Sequence, residues 1–274
     1  MHHKSKSIFI ILLFITGCQD HWSWIDTLPK PWTLTNAEVS EILPEFHSRF
    51  PDFNYRLKAF SLWQVGKPYE IFKLGEEKDP DPDPIIRLDV SDCTVHVLTS
   101  LAFSQSDSWE KAKDIMIRIH YKDHQPDFKT RWHFTSDRIL SNPSTTDITK
   151  TLLPIENLKR ANVTLNQKEN GGELLELNWE REVGVYYVPN NELGPNLLKR
   201  LPGVCGAAFV KKSLFELGII IGHEGMLIDN QFLIHASSTE GETVKIDFLT
   251  YYFSKPEGIF DGVMFYEFRS MDPL

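Results

Sequence analysis

The sequence predicts an α+β domain, with helices first and a run of short strands after them. Two observations carry this. Up to about residue 119, apolar residues recur at helical spacing, as in Val95, Leu98, Leu101 and Ala102. From about residue 174 the period changes to short apolar runs bounded by turn residues, with connections short enough for antiparallel pairing. Segregation of helices from strands is the α+β order.

The gross numbers fit such a domain. The 274 residues are 41% hydrophobic and 24% charged, an ordinary balance that supports a core without disulfides or metal. The formal net charge of -9 argues against a nucleic-acid partner, which calls for a basic footprint. No internal repeat is visible, and a monomer is expected.

The first element is a targeting signal. Lys4 and Lys6 precede an apolar run from Ile8 to Ile15, then Thr16-Gly17-Cys18. A charged start, a short apolar stretch and small residues mark a secretory signal over residues 1–17, too short to span a membrane. The cysteine directly after the small residues resembles the lipobox of bacterial lipoproteins. That resemblance implies cleavage before Cys18, a lipid on its sulfur and attachment to a membrane. Gln19 in place of aspartate implies, in a Gram-negative cell, the outer membrane facing the periplasm. Residues 18–34 read as a tether. Its Trp22, Trp24 and Trp32 either touch a membrane surface or dock on the domain.

Residues 35–64 read as helix, capped by Thr35 or Asn36, with Leu57, Phe60 and Trp63 on one face. Gly66-Lys67-Pro68-Tyr69 breaks it. Glu76 to Pro84, acidic and proline-rich, reads as a solvated loop without the glycine and glutamate of a calcium hand. Asp92 starts a helix. Asp107 with Glu110 gives a capping box for the next, with Ala112, Ile115, Met116 and Ile119 on one face. Residues 122–172 read as polar and irregular. Strands are expected at 174–179, 183–188, 204–210, 217–222, 225–228, 232–236, 244–247 and 263–268.

Three cysteines match no zinc-ribbon or paired-thiol spacing. Cys205 lies in an apolar strand and reads as inert packing. Cys93 falls in the first turn of the helix that Asp92 caps. Partial positive charge and outward N–H groups there favour a thiolate. His223 and His235 flank the turn Asp229-Asn230. A hairpin pivoting at Asp229 sets them opposite each other on one side of the sheet, close enough to hydrogen-bond. One can then act as base while the other orients it. Zinc is the rival, with one thiolate and two imidazoles, but the spacing is loose and no fourth ligand is evident. The site is therefore expected to be metal-free and cofactor-free. His96, three residues past Cys93, reads as a bystander.

Taken in order, Gly66-Lys67-Pro68-Tyr69-Glu70, Asp92-Cys93-Thr94, His223-Glu224-Gly225 and Ile234-His235-Ala236-Ser237 resemble the NlpC superfamily of bacterial cell-wall hydrolases. Arg131-Trp132-His133-Phe134, Tyr187-Val188-Pro189 and Leu201-Pro202-Gly203 extend the likeness to its N-acetylmuramoyl-L-alanine amidase-like branch, from about Thr35 to Phe268. The sequence departs from that branch at Val95, His96, Leu98 and Val204.

The resemblance implies a papain-like core over residues 35–270, with the nucleophile-bearing helix packed on an antiparallel sheet. It implies Cys93 as nucleophile, His223 as base and His235 as orienter. It sets Tyr69, Asp92, Arg131 and His133 on the substrate side. The implied substrate is peptidoglycan or muropeptide fragments, cut between the muramic lactyl group and L-alanine through a thioester. The alternatives are an endopeptidase acting at the D-glutamyl bond of the stem, or a non-catalytic muropeptide-binding lipoprotein.

The lipobox likeness has a direct test. Wild-type protein should partition into the detergent phase and carry acyl mass on Cys18. Cys18→Ser should stay aqueous and unmodified in intact-mass spectra.

Overall fold

The computed structural model describes residues 21–271. Cys18 and the expected signal segment lie outside the described residues. Antiparallel pairing organises everything that follows the first helices.

The helical part comprises α1 (Ser23–Thr27), α2 (Asn36–Arg49), α3 (Phe53–Trp63), α4 (Cys93–Ser104), α5 (Trp109–His120) and α6 (Thr135–Ser141). Then come β1 (Thr145–Asp147), α7 (Thr149–Leu152), β2 (Lys159–Leu165), β3 (Arg181–Pro189), α8 (Pro195–Leu198) and β4 (Val204–Val210). The chain closes with β5 (Ile221–Ile228), β6 (Phe232–Ser237), β7 (Glu242–Asp247), α9 (Phe248–Tyr252) and β8 (Gly262–Phe268). The strands form one eight-stranded sheet in the order β2-β3-β8-β4-β5-β6-β7, with β1 beside β8. Every pairing is antiparallel, as the short connections predict.

Local chemistry explains the helix starts. Thr35 accepts from the Glu38 amide while Glu38 reaches back to the Thr35 amide, a full capping box. The segment read as one helix over 35–64 is two, because Pro51 interrupts it and Asp52 caps α3 through the Tyr55 amide. Ser108, not Asp107, caps α5, and Asp107 pairs with Lys111 instead. Three strand expectations also change. β2 lies inside the stretch read as irregular, and 174–179 forms no strand. Leu217 ends a short helical turn, so 217–222 and 225–228 merge into the single strand β5.

Residues 21–34 are not a free tether. Ile25 is buried, Trp24 packs 4.9 Å from Phe46, and Trp63 donates its indole N–H to the Pro29 carbonyl. Apolar area removed from water holds the segment on α2 and α3. The loop 76–84 is likewise held rather than solvated. Arg131 reaches both Glu76 and Asp81, and Tyr121 donates to the Gly75 carbonyl.

Two cores sandwich the sheet. α4 belongs to the one that includes Ala208, Met226, Ile234 and Met264. Phe209, Leu227, Leu233, Phe248 and Phe265 form the other. Gly206 faces Tyr266 across the β4–β8 ladder, and a Cβ there would come 2.0 Å from the Tyr266 ring. The ring fills the space a Cβ would take, so Gly206→Ala forces overpacking. It should cost at least about 1–3 kcal/mol and lower Tm by several degrees in calorimetry. Gly203→Ala, where a Cβ meets nothing within 4 Å, should leave Tm unchanged.

Candidate active site

Cys93 is the first residue of α4. Asp92, the N-cap, is 6% exposed and accepts the Val95 amide at 2.8 Å on one carboxylate oxygen. The other oxygen accepts the Phe72 amide at 2.9 Å. Both oxygens are thus engaged by backbone, and Asp92 caps the helix and clamps the loop. The clamped loop holds Phe72 at φ 58, a left-handed backbone that a bulky residue rarely adopts, with its ring 80% exposed. Tyr69 lies in the same loop. Burial, then the neighbouring Cys93 and Asp92, push its hydroxyl pKa up.

The hairpin pivots one residue later than the sequence suggests. Met226, Leu227 and Ile228 pair with Ile234, Leu233 and Phe232, which centres the turn on Asn230. Asp229 and Asn230 both take positive φ, and the Asn230 amide group donates to the Leu198 and Leu201 carbonyls. His235 therefore lies across from Gly225, and His223 sits diagonally, two residues on, on the same side. The diagonal works because residue 225 has no side chain. A Cβ at Gly225 would sit 2.9 Å from the His235 Cβ. The imidazoles meet across this gap, with His223 Nε2 2.8 Å from His235 Nδ1.

Aromatic rings bracket the pair. His223 stacks on Phe209, with centroids 5.6 Å apart, and on Phe260 at 6.2 Å. His235 lies 4.5 Å from the Tyr251 ring. Desolvation lowers the His223 pKa to about 3 and that of His235 to about 4, so both rings are neutral at pH 7.

The thiol meets β5 beyond Met226, where β5 and β6 part. The Glu224 carboxylate, one residue from His223, is among the charges that act on it, and the Thr94 hydroxyl next along the helix bonds that carboxylate at 3.3 Å. A sulfur–imidazole hydrogen bond is not among its contacts within the described residues. Burial, then the charges of Asp92 and Glu224, push the thiol pKa up to about 12. The depressed value expected from the helix start is thus reversed: desolvation and two carboxylates outweigh the dipole. The resting pair is a neutral thiol beside neutral imidazoles. Cys205 is fully buried and its thiol is raised further. Among the described residues no cluster of three His, Cys, Asp or Glu side chains is placed to hold a metal ion.

Glu224 anchors the floor of the site. It is fully buried and receives Arg138 Nη2 at 2.6 and 2.8 Å, the Tyr266 hydroxyl at 2.7 Å and the Thr94 hydroxyl at 3.3 Å. This network joins α6, β8 and the residue after Cys93 to the residue after His223. Sequence reasoning missed Arg138, Tyr266, Tyr251 and Phe260. Arg131 and His133 are not brought to the thiol. Arg131 is committed to Glu76 and Asp81, and His133 bonds the Phe128 carbonyl at 2.6 Å. His96 is buried, with Ser61 at 3.0 Å from its Nε2.

Iodoacetamide should alkylate Cys93, which is partly accessible, well before Cys205. The rate at Cys93 should keep climbing past pH 9, because the thiol is raised. A plateau reached below pH 8 in a stopped-assay pH series would contradict the assigned neutral resting state.

Comparisons with known proteins agree with this architecture. A crystal structure of a Legionella pneumophila protein superposes with a TM-score of 0.72 at 18% identity, covering 87% of this chain and 96% of that one. Two crystal structures of an N-acetylmuramoyl-L-alanine amidase from Bacteroides uniformis give TM-scores of 0.64 and 0.60 at 20% and 19% identity. They cover 80% and 78% of this chain and 99% of each relative. At such identities these likenesses show the fold. No curated protein matches the chain. The profile of the AmiA-like, N-acetylmuramoyl-L-alanine amidase-like family matches residues 59–259, so the chain belongs to that family.

Proposed function

We propose that the protein is a papain-like cysteine hydrolase of the NlpC superfamily, cutting the amide between N-acetylmuramic acid and L-alanine in peptidoglycan or muropeptides. The observation that supports this is the 2.8 Å bond between the His223 and His235 imidazoles, with Cys93 at the start of α4 and the next residue, Thr94, bonded to Glu224 beside His223. Family membership supports the substrate class. Membrane attachment through Cys18 would set the enzyme in the cell envelope.

The tautomers follow from the roles. If His223 donates Nε2–H to His235 Nδ1, its own Nδ1 keeps a lone pair and can serve as base. Both partners start neutral, so the proton passes from sulfur to His223 as the C–S bond to the lactyl carbonyl forms. Backbone N–H groups at the start of α4 are suited to hold the oxyanion. Protonated His223 then donates to the departing amine of L-alanine, leaving a thioester that water hydrolyses. His235 fixes the tautomer and ring position. The chemistry described needs no metal or cofactor.

The test is hydrolysis of defined muropeptides by the full chain, with products identified by mass spectrometry. A free L-alanyl peptide is expected. Cys93→Ala and His223→Ala should each lose at least about 10³-fold in kcat, and the double variant should lose little more, since nucleophile and base act as one unit. His235→Asn, which still accepts a hydrogen bond, should keep more activity than His235→Ala. Products cut after D-glutamate would establish the endopeptidase instead. Binding without turnover in wild type would establish the non-catalytic alternative.

A further inference from the structure

We infer that the face built by α1 and the start of α3 lies against a phospholipid bilayer, which fixes the orientation of the whole domain at the membrane. The inference rests on the lipid-anchor reading of Cys18 and adds to it a docked surface.

The first step is chain reach. Trp22 is four residues past Cys18, so their Cα atoms are at most about 14 Å apart. Trp22 is already part of the folded body. Its ring lies 5.0 Å from Phe50 and 6.2 Å from Tyr55. Ile25 is buried beneath, and Trp24 packs on Phe46 and Phe50. An acylated Cys18 therefore has almost no slack. A free tether of residues 18–34 would let the domain swing tens of ångströms from its anchor. Docking of the segment from residue 22 onward removes that freedom and holds this face next to the headgroups.

The second step is the chemistry of the face. Tyr55 is 59% exposed, the largest exposure of any Phe, Tyr or Trp among the described residues apart from Phe72. Trp22 and Trp24 are only partly buried. The cation beside each indole is already paired with an acid: Lys58 Nζ, 4.2 Å from the Trp22 ring, holds Asp229, and the Arg49 guanidinium, 4.5 Å from that of Trp24, pairs with Glu45. Indole and phenol rings with one apolar and one wet end collect at headgroup depth. Lipid chains on Cys18 hold the protein to the membrane but leave its orientation open, which a second contact surface fixes. The aromatic face supplies that second contact.

Tryptophan quenching tests the orientation on the full, lipidated chain. The protein is reconstituted into phosphatidylethanolamine–phosphatidylglycerol vesicles containing brominated acyl chains, which quench nearby indoles. Seven tryptophans report at once, so variants sort them. Wild type should be quenched, and Trp22→Phe/Trp24→Phe should lose more than half of that quenching. Trp132→Phe/Trp179→Phe, whose rings flank Lys122 instead, should keep it. Phenylalanine preserves ring packing, and circular dichroism checks the fold of each variant. Intact mass separates the two ideas. Acylated protein whose Trp22 and Trp24 escape quenching overturns the docking alone, whether the face proves free or is covered by a second copy. Protein without acyl mass overturns the anchor and the docking together.

Discussion

The buried ion pair between Arg138 and Glu224 is the constraint on which the site depends. Both side chains are shut off from water, and isolated charges there would cost several kcal/mol each. Pairing them, and giving Glu224 two hydroxyl donors besides, makes the burial tolerable. The consequence is positional. One carboxylate on β5 locks α6 from one direction, β8 from another and the first turn of α4 from a third. Removing either charge leaves the other stranded. His223 and Cys93 inherit their placement from neighbours, Glu224 and Thr94, that cannot move independently.

A second balance sets the chemistry. The helix start favours a thiolate, while burial and the nearby carboxylates favour a thiol. The desolvation cost is larger, and the same burial keeps both imidazoles unprotonated. The proposed mechanism therefore starts from neutral partners. It leaves the charge separation to the moment of attack, when developing charge can be met by amides already in place.

Much of this was legible in sequence where the determinants are local. Thr35 and Asp92 cap their helices as their positions suggest, since a cap needs only the next three residues. Cys93 at a helix start and two histidines in hydrogen-bond reach follow from the same short-range logic. The hairpin register was off by one, because two consecutive left-handed residues lengthen the turn, and Gly225 alone hinted at the diagonal. Strand β2 alternates Ala161, Val163 and Leu165 with polar residues, so its signal was present inside a stretch read as irregular. Arg138 and Tyr266 were invisible because they lie 86 and 42 residues from Glu224, and nothing local marks them as its partners. Arg131 and His133 show the converse. Their polar character was real, but nearby acids and carbonyls absorb it.

The buried imidazoles carry one more consequence, in proton balance. His96, His120 and His235 are all but inaccessible and held neutral by burial, with pKa values lowered to about 3 for His96 and about 4 for His235. An unfolded chain returns each to near 6.5 and takes up a proton below that pH. Each group thus leaves stability whole above the free imidazole value and withdraws it as the medium acidifies, until the folded ring itself titrates. Several such groups acting together form an acid fuse. The fold is secure near neutrality and loosens as the pH falls below the free imidazole value.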